Sequence, residues 1–200
     1  MKKVLVLKSS IKGADSHTNA LIDTFLAERK AQGLEDEVIS RDLASLELPV
    51  LDAELFQALR QQDAVSDRTR PGVALSDQLI SELRACDLLV IGAPMYNHNV
   101  PTQLKYWFDL VARAGVTFRY TESYPLGLVA DVPTVVISTR GGFHAGQQTD
   151  AVTPYLRSVL GLIGITDVSF VYGEGFDIKP HGLANGIAAA HAQLKSLASA

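Results

Sequence analysis

Residues 87–101 read DLLVIGAPMYNHNVP. Leu88 to Ile91 is an unbroken apolar run, as a strand buried on both faces of a sheet requires. The nine residues from Ala93 to Pro101 do not read as a plain solvated turn: two prolines bracket Met95, Tyr96, Asn97, His98 and Asn99. The stretch TQLKYWFDLV that follows has helical periodicity and is rich in aromatic residues. A buried strand, a broad partly apolar loop and a helix are the parts of a parallel α/β layer with its loop at the strand's carboxyl end.

Working outward, the same alternation recurs. Val4 to Leu7 is a second buried run, followed by SSIKGADSHTN and a helix carrying Leu21, Ile22, Phe25 and Leu26 on one face. Asp36 to Leu43 is a more polar strand, suited to a sheet edge. Residues 44–73 form a variable connection with one short helix, about Ala53 to Leu59. Ala74, Leu75, Leu79, Ile80 and Leu83 define the next helix. Beyond the aromatic helix come a strand at Thr134 to Thr139, a helix at Val152 to Leu162, a strand at Val168 to Tyr172 and a closing helix at Leu183 to Leu197. The pattern predicts one domain over residues 1–200, a doubly wound parallel sheet of five strands with helices on both faces. Five strands favour the flavodoxin-like order 2-1-3-4-5.

Composition narrows the function. The chain has 200 residues, 47% hydrophobic and 20% charged, with a formal net charge of −4, which offers no footprint for nucleic acid or an anionic membrane. The start, MKKVLVLKSS, has an apolar run too short for a secretory signal, and no stretch approaches the length of a membrane span. With a lone cysteine, Cys86, the expectation is a soluble cytoplasmic protein without intrachain disulfides. The five histidines, His17, His98, His144, His181 and His191, show no metal-ligand spacing.

In this fold, ligands bind beyond the carboxyl ends of the strands at the switch in strand order, which singles out the loops 9–18, 94–99 and 139–144. In the first loop, Ser9, Ser10, Ser16 and Thr18 add hydroxyl donors to the free amides of a helix N-terminus, and Gly13 allows a tight bend. Asp15 or Ser16 is also placed to cap that helix. Neither G-x-x-x-x-G-K-[ST] nor G-x-G-x-x-G is present, so a single terminal phosphate fits better than a triphosphate. In the second loop, Met95 and Tyr96 offer surface to a planar ring, while Asn97 and Asn99 tolerate left-handed backbone. In the third, Gly141 and Gly142 let backbone amides approach the acceptors of a ring edge, and Arg140 is a candidate partner for a reduced, anionic ring or for a surface carboxylate. A phosphate cradle, an aromatic and thioether middle and a glycine edge together outline FMN.

The stretches KVLVLKSS, APMYN, FDLVARAGVTFRYTE, RGG with a following His, and VTPYL with LGLIGITDV resemble the bacterial FMN-dependent NADH-azoreductase family across nearly the whole chain. The resemblance implies a flavodoxin-like homodimer with one FMN per subunit at sites on the dimer interface. It implies flavin contacts from Ser10, Ser16, His17, Thr18, Met95, Tyr96, Asn97, His98, Thr139, Arg140, Gly141 and Gly142. A substrate pocket lined by Tyr120, with His98, His144 and Leu162 near it, is implied as well. The family commonly has Phe at His98, Ser at Thr139 and Phe at Leu162, so this chain lacks two rings beside its substrate. His98 also adds a residue type that changes charge near neutral pH.

From this follow NADH or NADPH as donor, quinones and azo compounds as acceptors, and ping-pong two-electron transfer, with two cycles per azo bond. No side chain is required as acid or base; the amide of Asn97 is the candidate for positioning flavin N5, and Arg60 is a candidate contact for the nicotinamide nucleotide. The apolar stripes of the aromatic helix, Leu104, Trp107, Phe108, Leu110 and Val111, suit either a subunit interface or a helix covered by residues 44–73 of the same chain, and the resemblance favours the interface. The main alternative is a flavodoxin-type electron carrier, although the chain is less acidic than such carriers and lacks a T-G-x-T phosphate loop. A receiver-like signalling domain would need a carboxylate where Ala93, Pro94 and Met95 stand, and a related FAD-binding quinone reductase would differ mainly in cofactor.

Overall fold

The computed structural model describes residues 1–198. β1 (Lys2–Lys8) lies in the sheet interior between β2 (Asp36–Asp42) and β3 (Leu88–Gly92). β3 pairs with β6 (Thr134–Thr139), and β6 pairs with β7 (Val168–Gly173). All four pairings are parallel, and the order β2-β1-β3-β6-β7 is the expected 2-1-3-4-5 of the main sheet. The amino-terminal apolar run is therefore strand β1, aligned with β3 so that Leu7 faces Ile91. Every residue of β3 and β6 is buried, whereas β2 at the edge is half-buried to exposed, which explains its polar sequence.

The period of two in the strands sorts side chains between two helical layers. Val4, Val6, Val90 and Ile137 point to one face, covered by α1 (His17–Ala31) and α6 (Gly182–Leu197) through Leu21, Ile22, Phe25, Ala190 and Leu194. Leu5, Leu7, Leu89 and Ile91 point to the other, covered by α2 (Ala53–Arg60), α3 (Arg70–Ala85), α4 (Thr102–Val111) and α5 (Val152–Ile163). α3 starts four residues before the expected Ala74, because Pro71 in its first turn loses no hydrogen bond there and presets the backbone.

The structure corrects the reading of α4. Leu104, Trp107, Phe108, Leu110 and Val111 are all buried within the chain against α2, α3 and α5, so this stripe is core and not a subunit contact. Burying Phe108 alone contributes about 2 kcal/mol, which a partner-seeking helix would forgo in the monomer. A feature the periodicity did not announce is the antiparallel pair β4 (Phe118–Arg119) and β5 (Leu126–Gly127), which packs on the end of α5. The approach is so close that a side chain at Gly127 would collide with the backbone of Ile163 and Gly164.

Candidate functional site

The carboxyl ends of β1, β3 and β6 open into a cavity of about 420 Å³. From the first loop it is lined by Ser10, Lys12, Ser16, His17 and Thr18. Ser16 is the N-cap of α1: its Oγ accepts from the Asn19 amide at 3.1 Å and keeps its own hydrogen to donate. The Ala20 amide goes to the Ser16 carbonyl, which leaves the amides of His17 and Thr18 with no acceptor among the described residues. Ser9 is a structural hydroxyl, donating to the Gly92 carbonyl at 2.6 Å, and does not line the cavity. Ser10 Oγ meets the Tyr96 hydroxyl at 2.8 Å, and Thr18 Oγ1 meets Thr139 Oγ1 at 2.6 Å, which joins all three loops. Two free amides at the positive end of a 15-residue helix, ringed by hydroxyls, form an anion cradle.

The second loop is anchored where Met95 N donates to the Thr139 carbonyl at 3.0 Å. Tyr96 and Asn99 then exchange backbone hydrogen bonds of 2.9 and 3.0 Å around Asn97 and His98, whose φ angles are +49° and +64°. Two left-handed central residues make the tight turn; Asn97 takes the conformation expected of it, but the second left-handed position falls to His98 and not to Asn99. The Asn97 amide has no acceptor among the described residues and is exposed. His98 Nδ1 lies 3.2 Å from the Thr149 carbonyl, so it carries the hydrogen, since a carbonyl can only accept. Its ring meets that of His144 edge-on at 5.1 Å, and His144 Nδ1 is 2.8 Å from Thr149 Oγ1.

In the third loop, the amides of Gly141 and Gly142 are unpartnered among the described residues, while their carbonyls accept from Asp177 and Gly175. A side chain at Gly141 would collide with the Asp177 carboxylate, and one at Gly142 would stand 2.7 Å from His144 Nε2. The absence of a side chain at both glycines lets the Asp177 carboxylate and the His144 ring lie against the loop backbone. Arg140 is not a surface cation. Its guanidinium is fully buried, ion-paired with Asp150 at 3.1 Å and Glu174 at 3.5 Å, bonded to Ser138 and Thr153, and stacked 4.8 Å over Tyr172. Burial pushes the Asp150 carboxyl up, but bonds from Thr153 and Arg140 hold it below the usual aspartate range. Arg140 therefore braces the loop, and its charge is already matched.

Comparison with known proteins agrees with this geometry. Residues 2–198 match the family described as having a flavodoxin-like fold. An FMN-dependent NADH:quinone oxidoreductase of Burkholderia lata is 62% identical over 98% of this chain and 99% of its own. An FMN-dependent NADH:quinone oxidoreductase of Escherichia coli (strain K12) is 53% identical, with both chains fully covered.

The chain belongs to the flavodoxin-like FMN-dependent NADH:quinone oxidoreductase family.

Among solved structures, an azoreductase from Bacillus anthracis superposes with a TM-score of 0.89 at 26% identity, covering 99% of each chain. For a chain of this family, the sequence-derived residues fall into two groups. Ser10, Ser16, His17, Thr18, Met95, Tyr96, Thr139, Arg140 and Gly141 line the one cavity; Asn97, His98 and Gly142 stand outside its lining, on the same loops. Tyr120 and Leu162 are elsewhere. Tyr120 lines a separate cavity of about 220 Å³ with Phe56, Arg60 and Phe118, where Arg60 stacks on Phe56 at 5.0 Å. Leu162 lines an apolar groove with Tyr124, Pro125, Tyr155 and Val159. His144 stays with His98 and outside the main cavity.

Sequence reading missed Lys12, Pro94, Phe176, Asp177 and Leu183 as cavity lining. Phe176 stands edge-on to His17 at 5.5 Å, in a slot kept open by Gly173 and Gly186, where a side chain would press into its ring. The signal was the glycine spacing around GEGF after the last strand, which lies outside the loops next to the switch point.

Proposed function

We propose that this chain is an FMN-dependent NAD(P)H oxidoreductase that reduces quinones and azo compounds. The observation that carries the reading is the run of groups the three loops present: the unpartnered amides of His17 and Thr18, then Met95 and Tyr96, then the unpartnered amide of Gly141, with those of Asn97 and Gly142 on the same loops beside the lining. A phosphate, a planar ring and a polar ring edge match those three parts in that order. The residues present fit the cofactor. Ser10, Ser16, His17 and Thr18 would hold its phosphate; Met95, Tyr96 and Thr139 would flank the ring; Asn97, Gly141 and Gly142 would orient its polar edge, with Asn97 at N5. Arg140 would keep the glycine edge rigid. FMN, when bound, supplies the two-electron chemistry, and the protein supplies position and exclusion of wrong geometry.

One exposed site serving donor and acceptor in turn gives ping-pong kinetics, and an azo bond requires two rounds. We assign His98 and His144 to the acceptor's side of the site. Tyr120 and Leu162 reach that site only from a second copy, which fits a homodimer with a site at each subunit contact. Exposed Tyr120, Tyr124, Leu126 and Leu128 supply an apolar surface for that contact. No helix among the described residues is long and apolar enough to cross a membrane, in keeping with a cytoplasmic enzyme acting on small molecules.

The test is an absorbance spectrum of purified protein, followed anaerobically by NADH and then benzoquinone. Flavin bands that bleach and then return are the expected result. Bands that NADH cannot bleach would point to an electron carrier instead, and a colourless protein that FMN cannot turn yellow would overturn the cofactor assignment.

A further inference from the structure

We propose that Lys12 supplies the cation that holds the cofactor's phosphate and so sets the preference for FMN over riboflavin. The inference rests on the FMN reading above. It starts from the charges that line the cavity. The lining includes two residues of fixed positive charge, Lys12 and Arg140, and one of fixed negative charge, Asp177. Arg140 is buried, with its charge matched by Asp150 and Glu174. Asp177 is exposed and its carboxylate lies against Gly141. Without Lys12 a phosphate dianion would share the cavity with Asp177, opposed only by dipoles and hydroxyls.

Lys12 is placed for the task. Its amide donates to Ser10 Oγ at 3.3 Å, tying it to a cradle hydroxyl. Its carbonyl accepts from the Asp15 amide at 3.0 Å across the tight turn that Gly13, at φ +53°, permits before α1. Its side chain is exposed, and no carboxylate forms an ion pair with it among the described residues. The only other carboxylate of its turn is Asp15, which does not line the cavity. An unmatched cation beside two unmatched helix amides is what a dianionic ester needs.

Equilibrium dialysis of the full chain against FMN and against riboflavin, at low and high salt, tests this without measuring turnover. Lys12→Met is expected to weaken FMN binding about three- to tenfold, to leave riboflavin binding unchanged, and to reduce the salt dependence of FMN binding. Lys12→Arg is expected to keep the preference. Because Lys12 is exposed, an unchanged thermal melt would show that the variant is folded. Equal loss of both flavins would make Lys12 a loop-packing residue and overturn the proposal. A wild-type preference for FMN that survives in Lys12→Met overturns the proposal alone; a wild-type chain that binds neither flavin overturns the FMN reading as well.

Discussion

His98 occupies the second left-handed position of the Tyr96–Asn99 turn, where a non-glycine residue gives up about 1–2 kcal/mol. Its bond to the Thr149 carbonyl and its edge contact with His144 offset part of that, and they fix the imidazole with Nδ1 protonated and Nε2 free. Glu174 accepts from the His144 and Ala145 amides and pairs with Arg140, whose other carboxylate partner is Asp150. In the proposed function this imidazole stands on the acceptor's side, with a polar ring where the family carries Phe. We expect His98→Phe to change the KM for quinone about three- to tenfold. Reduction by NADH, followed separately by stopped flow, should keep its rate. An unaltered KM for quinone in His98→Phe would remove His98 from the acceptor's side.

At the scale of elements, one buried ion pair ties three of them. Arg29 of α1 holds Asp36 of β2 through two bonds of 2.7 and 3.1 Å, and its remaining nitrogen reaches the Ala198 carbonyl, just past α6, at 3.3 Å. The Arg29 bond is the main reason the Asp36 carboxyl sits below its ordinary value of 3.8, with burial opposing it. A carboxyl depressed by folding binds its proton more readily in the unfolded chain. Its stabilisation is therefore full above about pH 4 and is lost as pH falls through the lower folded value. Chemical denaturation at neutral pH and near pH 3 should show reduced stability in acid. Asp36→Asn should lose about 3–5 kcal/mol at neutral pH, because it leaves the Arg29 charge buried and unmatched, and should flatten the acid dependence. A variant as stable as the parent would mean that water compensates Arg29.

At the scale of the molecule, the core is complete within one chain, yet apolar surface remains around the β4–β5 pair and α5. Tyr124 is 81% exposed and Tyr120 63% exposed, and Tyr124 lines a groove with Pro125, Val159 and Leu162. A sheltered role for such side chains needs a second surface. Tyr124→Asp, whose site is too open to disturb folding, should shift sedimentation toward the monomer. In the proposed homodimer, where a second copy would bring Tyr120 and Leu162 to the acceptor, it should also reduce quinone turnover in proportion. A dimer indifferent to this change would place the interface elsewhere.

What the chain alone determined was the architecture and the three loops. Strand burial, period-two and period-3.6 patterns and turn residues act locally, so β1, β3, β6 and their helices were legible, as were Ser10, Met95 and Gly141 at the switch point. Only the tertiary structure decided which partner each polar group takes and which apolar face is covered. Leu104 and Trp107 look the same on a helical wheel whether a neighbouring helix or a second subunit covers them; α2, α3 and α5 settle the matter. Arg140 reads equally as a partner for a ring or for a surface carboxylate until Asp150 and Glu174, ten and thirty-four positions away, close on it in the interior. Phe176 and Lys12 join one cavity because β7 and β1 deliver them to the same end of the sheet. Burial and charge matching are pairwise properties of distant segments, and pairings of that kind exist only once the chain has folded.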